Sequence, residues 1–158
     1  DRFLNLFAQL QAFFPVMPLA GANAKFQPVW VEDVAQALAL CLRDTKTIGQ
    51  TIEIAGPEVF TLAELVRAAG LWSGHPRPVW PLPTALGRAQ ALAMELLPGP
   101  TLMSRDNLDS MKLDNLATGA LPGLATLGIS PASLASIAPE YLGAGRTLLD
   151  GYRAQAGR

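Results

Sequence analysis

Phe26-Gln27-Pro28-Val29-Trp30-Val31-Glu32-Asp33-Val34-Ala35 is the stretch on which the fold turns. A β-branched and aromatic run, Phe26 to Val31, leads straight into a helix that opens with two carboxylates. Pro28 removes a ladder donor, which places that strand at a sheet edge or outside the central ladder. Glu32 and Asp33 fall in the first helical turn, where negative charge meets the positive end of the helix dipole. The helix is predicted over 32–43, with Val34, Leu38, Cys41 and Leu42 gathered on one apolar face. A second unit of the same kind follows. Gln50–Ile54 reads as a strand closed by Ala55-Gly56-Pro57, and Thr61-x-x-Glu64 is a capping box opening a helix over 62–70.

Working outward, Phe3, Phe7, Leu10 and Phe14 recur at helical spacing and predict a helix over 2–14, capped by Asp1 and stopped by Pro15. Leu4, Leu6 and Phe13 make it apolar on more than one side, so it is expected to be sandwiched, or to cover a neighbour through self-association. Pro15–Leu19 is extended and Ala20–Asn23 a turn. Helix, strand, helix, strand, helix is an order at home in an α/β fold. Beyond it, Pro76, Pro78, Pro81 and Pro83 stiffen a connector with room for a short strand at Val79 and Trp80. Helices are predicted over 84–97, through Leu86, Leu92, Leu96 and Leu97, and more weakly over 102–113. A last one begins at Ser130-Pro131 and runs to Tyr141. The chain thus divides into strand–helix units over 1–75, a mostly helical region over 76–142 and a tail over 143–158.

Half of the 158 residues are hydrophobic and only 16% are charged, which predicts a folded chain with a rather apolar surface. The net charge of −1 comes without any basic block, so nothing suggests a nucleic-acid footprint. Proline, glycine or charge breaks every apolar run before it could span a bilayer. The lone Cys41 cannot form an internal disulfide and suggests a cytoplasmic setting, with the periphery of the inner membrane as the variant. One histidine, His75, and one cysteine cannot build a metal centre; His75 reads as an exposed loop residue. The opening on Asp1 is read as a portion cut from a longer chain.

Catalytic patterns are missing. None of the 14 glycines forms the glycine-rich turn whose amides approach a pyrophosphate. No tyrosine is followed by lysine four residues on: Tyr141 meets Gly145 and Tyr152 meets Ala156. Adjacent Glu32 and Asp33 point roughly 100° apart on a helix, which suits capping rather than shared acid–base work. Asp106, Asp109 and Asp114 read as a solvated face. Trp30, Trp72 and Trp80 are expected in the core, with an apolar cleft for a flat ligand as the alternative.

The junction Pro28-Val29-x-Val31-x-Asp33-Val34-Ala35 resembles that of extended short-chain dehydrogenase/reductases, the NAD-dependent epimerase/dehydratases. Ser104-Arg105-Asp106-Asn107-Leu108, Lys112-Leu113-Asp114-Asn115, Leu127-Gly128-Ile129-Ser130-Pro131 and Pro139-Glu140-Tyr141-Leu142 narrow the match. They resemble the atypical branch related to the NAD(P)H-binding accessory subunit of respiratory complex I, across 1–142. The resemblance implies an α/β fold, here a mostly helical C-terminal portion of a Rossmann-like protein. On that reading, residues 1–75 hold its last strand–helix units and 76–142 a substrate-side cap. NAD or NADP would be bound by the full-length protein, through an N-terminal Rossmann portion missing here, and not by this chain alone. No catalytic or cofactor-binding residue carries over.

Two readings follow. One is the substrate-side part of an oxidoreductase- or epimerase-like protein, with Arg2, Asn5, Gln27 and Trp30 as candidate substrate contacts, against which stands the reading that Arg2 is a surface charge and Asn5 and Gln27 satisfy backbone groups. The other is a non-catalytic NAD(P)H-binding structural or assembly subunit of a larger complex, which the apolar, sparsely charged composition favours. The two strand–helix units argue against a third, an isolated helical interaction module.

Overall fold

The computed structural model describes residues 2–95 and 105–143, apart from the side chains of Arg2, residues 93–95 and Arg105. The phenylalanine-rich helix α1 (Arg2–Phe13) forms where its periodicity places it and packs on α3 (Leu62–Trp72). Leu4, Phe7 and Ala8 meet Leu62, Leu65, Val66 and Ala69 in the main core. Ala138 and Leu142 of α6 (Leu134–Leu142) complete it. Leu62 and Val66 are wholly shielded from solvent, and a side chain so buried contributes about 1.5–3 kcal/mol.

The capping box sets the start of α3. Thr61 Oγ1 accepts from the Glu64 amide at 3.2 Å, and a Glu64 carboxylate oxygen accepts from the Thr61 amide at 2.7 Å. The Thr61 amide first, and then the Thr61 hydroxyl, which donates to the same carboxylate oxygen at 2.8 Å, hold the Glu64 carboxyl below its ordinary value.

Gln11 is a fully buried amide that the helical pattern does not announce. Its Nε2 donates to the Val66 carbonyl at 2.7 Å and to the Phe7 carbonyl at 3.3 Å, while its Oε1 accepts from the Arg77 amide at 3.3 Å. The Arg77 side chain returns a bond to the Gln11 carbonyl at 3.0 Å. Gly70 makes room for this amide: a Cβ there would lie 2.1 Å from the Gln11 Oε1.

Strands are few and short. β1 (Met17–Leu19) runs parallel to β4 (Val79–Pro81), with Met17 opposite Val79. β2 (Lys25–Phe26) runs antiparallel to β3 (Phe60–Thr61). Between them lies α2 (Val31–Arg43), and α4 (Thr84–Glu95) and α5 (Arg105–Ser110) follow β4. Short 3-10 turns occupy Thr45–Thr47 and Leu124–Leu127. A second small core joins Ala37 of α2 to Leu124 and Ile129, flanked by Val29, Leu40 and Ile54.

Several expectations are corrected. The strand expected over 26–31 shrinks to Lys25–Phe26, since Pro28 has no amide proton to extend the ladder. The strand expected over 50–54 is reduced to a single bridge between Glu53 and Gly123, no ladder partner lying beside it among the described residues. The expected apolar face of α2 turns to solvent at Leu38, 58% exposed, and Leu42, 89% exposed, whereas Asp33 and Ala37 are buried. Trp80 is exposed rather than in the core, and Trp72 packs against the core edge. α5 ends at Ser110, short of the end predicted at 113, and α6 begins at Leu134, where the Ser133 hydroxyl accepts from the Ser136 amide, not at Pro131. His75 is exposed in its loop, as expected. The Asp1 cap, the end of the helix predicted to 97, residues 102–104 and the tail from 144 lie outside the described residues.

The acidic residues of the predicted solvated face are exposed. Asp109 pairs with Lys112 and, at 3.3 Å, with Arg88; Asp114 pairs with Lys25 at 3.8 Å. Lys112 first, then Arg88, holds the Asp109 carboxyl below its ordinary range.

Candidate functional site

The segment Gln27–Trp30 is extended, and its sequence explains why. Pro28 fixes its own φ and disfavours a helical Gln27. Trp30, at φ −72° and ψ 137°, is the N-cap of α2 and supplies no capping hydrogen bond from its side chain. Two ties hold the segment in place. The Gln27 amide donates through Nε2 to the Gly56 carbonyl at 2.8 Å and accepts through Oε1 from the Ala117 amide at 3.0 Å. Gly56 lies so close that a Cβ there would sit 1.8 Å from the Pro28 carbonyl oxygen, so only glycine fits.

Asp33 does more than complement the helix dipole. Buried in the first turn of α2, it accepts from the Ala132 amide at 2.9 Å and thereby ties the approach of α6 to α2. α6 then presents Leu134, Ile137 and Tyr141 at helical spacing toward Pro28–Val31. The result is a cleft of about 380 Å³ lined by Pro28, Val29, Trp30, Val31, Ala132, Leu134, Ile137 and Tyr141. Trp30 and Tyr141 lie nearly parallel in it, with ring centroids 6.4 Å apart and 15° between planes. Half-burial pushes the Tyr141 phenol above its ordinary value of 10.0, so it is neutral through the physiological range.

A second carboxylate serves structure alone. Glu53 accepts from the Thr118 hydroxyl at 2.6 Å, the Thr118 amide at 2.9 Å and the Gly119 amide at 3.0 Å. The Thr118 hydroxyl is the largest cause of its lowered pKa, followed by the Thr118 amide.

Of the four candidate contacts read from sequence, Trp30 lines the cleft. Gln27 sits beside it, with its amide engaged on backbone groups. Asn5 is partly buried on α1 and is not among the lining residues, and the Arg2 side chain lies outside the described residues. Tyr141, which sequence reasoning does not offer as a contact, also lines the cleft. It stands in the motif Pro139–Leu142 and in the spacing Leu134, Ile137, Tyr141, which marks a helix face but does not name the partner across the cleft.

The lining can hold a flat or aliphatic apolar group and offers a phenol and an indole as its polar tips. It carries no cation, carboxylate or nucleophile. A dinucleotide needs backbone amides free at a helix start or cations for its phosphates. Here the start of α3 is taken by its own capping box, and the start of α2 adjoins the Asp33 carboxylate. The cleft lining therefore offers nothing to hold the phosphates of NAD(P).

No family model matches the chain. Among known proteins it is 31% identical over 155 residues to the Arabidopsis thaliana "NADH dehydrogenase [ubiquinone] 1 alpha subcomplex subunit 9, mitochondrial", covering 90% of the chain. It is 30% identical over 149 residues to the Rattus norvegicus protein of the same name, covering 93% of the chain. The Neurospora crassa "NADH-ubiquinone oxidoreductase 40 kDa subunit, mitochondrial" is 28% identical over 142 residues, covering 90% of the chain. The chain spans 38%, 39% and 37% of the lengths of these relatives. Their names overturn the cytoplasmic expectation, because they are mitochondrial proteins. A lone partly buried thiol such as Cys41 fits any reducing compartment and does not distinguish one from another. The resemblance to extended short-chain dehydrogenase/reductases, in the branch of the complex I accessory subunit, is thus borne out across about nine-tenths of the chain.

Proposed function

We propose that this chain is the C-terminal, substrate-side portion of a non-catalytic, NAD(P)H-binding subunit that helps build or stabilise a larger NADH–ubiquinone oxidoreductase complex. The observation that carries this reading is the extent of similarity: about 30% identity over nine-tenths of the chain to proteins named as subunits of that complex. The geometry agrees. Asp33 and Glu53 are engaged on backbone amides, Glu64 caps a helix, and Asp109 is ion-paired at the surface. The cleft between Trp30 and Tyr141 is shaped to receive an apolar group without transforming it. NAD(P)H would be gripped by the remainder of the longer protein, since the cleft lining carries no group suited to its phosphates.

The test is fractionation of the complete protein from its native membranes by non-denaturing electrophoresis. Comigration with NADH dehydrogenase activity is expected, and Tyr141→Phe should leave that activity unchanged. A protein that runs free of the complex and loses a measurable oxidoreductase activity on Tyr141→Phe would reverse the conclusion in favour of the catalytic reading.

A further inference from the structure

Phe13, 84% exposed, and Phe14, 54% exposed, stand at the end of α1, and Trp80, 64% exposed, stands on β4. The fold sets these segments side by side. Arg77 bonds both the side chain and the carbonyl of Gln11, and the β1–β4 register places Trp80 opposite Pro18. Leu71, also exposed, follows Gly70, which lies against the Gln11 amide and so brings the end of α3 to the same corner. Three exposed aromatic rings and a leucine gathered in this way exceed the scattered apolar residues of an ordinary surface.

Charge on this side of the molecule is one-sided. Residues 2–31 and 65–94, which build α1, β1, β4 and most of α3, contain no aspartate or glutamate, although the chain has 13. Glu64 caps the far end of α3, and Asp109 and Asp114 are ion-paired with Arg88 and Lys25. The Arg77 guanidinium instead bonds the neutral Gln11 carbonyl, so its charge stays uncompensated beside the aromatic rings.

We propose that this corner seats the protein on an anionic lipid surface, with Phe13, Phe14 and Trp80 entering the headgroup layer and Arg77 facing lipid phosphates. Aromatic rings favour that layer, and anionic headgroups attract cations and repel carboxylates. A protein partner would not require acids to be missing from both long stretches. Addition of a partner strand is closed as well. The register turns the nitrogens of Pro18 and Pro81 to the outer edges of β1 and β4, and neither carries a proton to donate. No helix among the described residues is long and apolar enough to cross a membrane, so the contact is with its surface. The proposal holds whether or not the complete protein joins a respiratory complex.

The experiment floats the protein made from its complete reading frame with vesicles of four parts phosphatidylcholine to one part phosphatidylglycerol. Binding is expected, weakening as salt is raised, and falling at least about tenfold when Phe13→Ser and Phe14→Ser are combined. Leu113→Ser, at an exposed leucine beside Asp114, should bind as wild type does, and thermal denaturation checks that each variant is folded. Lipid brominated in its acyl chains should quench the emission that Trp80→Phe removes. Absence of vesicle binding by the wild-type protein would overturn the proposal, as would equal binding to phosphatidylcholine alone. Vesicle binding that survives the paired substitutions would overturn it too. If those substitutions instead abolish self-association or comigration with a complex, the corner belongs to a protein partner.

Discussion

Gly56→Ala tests how the cleft is held. In the structure an added Cβ would lie 1.8 Å from the Pro28 carbonyl oxygen and 2.9 Å from its carbon, both backbone atoms that cannot swing aside. Real Cβ contacts do not fall under 3.0 Å, so one strand of the loop must retreat by at least 1.2 Å. That retreat lengthens the Gln27–Gly56 hydrogen bond, now 2.8 Å, past its useful range. Overpacking of this kind costs about 1–3 kcal/mol, and loss of the bond adds about 0.5–1.5 kcal/mol. A total near 2–4 kcal/mol corresponds to a fall in Tm of about 5–15 °C for a chain of this size. The assay is urea denaturation followed by tryptophan fluorescence, with Gly49→Ala as a control. Gly49 has φ +76° and nothing within 4 Å of its added Cβ, so its replacement costs only left-handed strain of about 1–2 kcal/mol. The native emission of Trp30 should also shift, because Pro28–Trp30 moves with the loop. A Gly56→Ala protein as stable as wild type, with unchanged emission, would refute the reasoning.

Gln11→Leu removes the amide that joins α1, α3 and the Arg77 loop and strands the Arg77 amide, so thermal denaturation should show a loss of about 1–3 kcal/mol. Neutral behaviour would mean the amide is not a structural tie. Asp33→Ala should cost about 1.5–3 kcal/mol and loosen the α2–α6 contact, with Asp33→Asn recovering part of the loss because its carbonyl still accepts from Ala132. Equal effects of the two substitutions would discard the hydrogen bond as the cause. Glu53 has a folded pKa below its ordinary value of 4.5, so the unfolded chain binds its proton first on acidification. Its stabilising effect is therefore full above 4.5 and is lost as the pH falls through the lower folded value. Protection of the Thr118 and Gly119 amides from hydrogen exchange, taken relative to the intrinsic rate at each pH, should fall in that range in wild type and be low at all pH values in Glu53→Ala. Protection that does not respond to acid would contradict the assignment.

The residues show why some of this was legible in the sequence and some was not. α1 and α3 could be read because each carries a local signal, the phenylalanine spacing and the Thr61–Glu64 box, that needs no knowledge of its neighbours. The outward turn of α2 could not. Periodicity shows that Leu38 and Leu42 share a face, but which face meets the core depends on Ala37 finding Leu124 and Ile129, far along the chain. The strands over 26–31 and 50–54 were overcalled for a related reason, since a strand is completed by a partner rather than by its own composition. In the site, Trp30 was legible as a candidate for a flat ligand. Sequence leaves Gln27 open between a substrate contact and a residue that satisfies backbone groups, and its bonds to Gly56 and Ala117 are of the second kind. Tyr141 enters the sequence reading through the absent lysine partner and the Pro139–Leu142 motif, neither of which names the indole across the cleft.

Residues 114–122 tie the two strand–helix units together. Asn115 bonds on either side of Phe26, to Lys25 and Gln27, and Ala117 reaches Gln27; Thr118, Gly119 and Pro122 hold Glu53. These ties close loops of 65 to 90 residues, so each forms only after distant parts of the chain have met. Losing the strap would free Phe26, Gln27 and Glu53 together, so the cleft it braces would be the first feature lost on local opening.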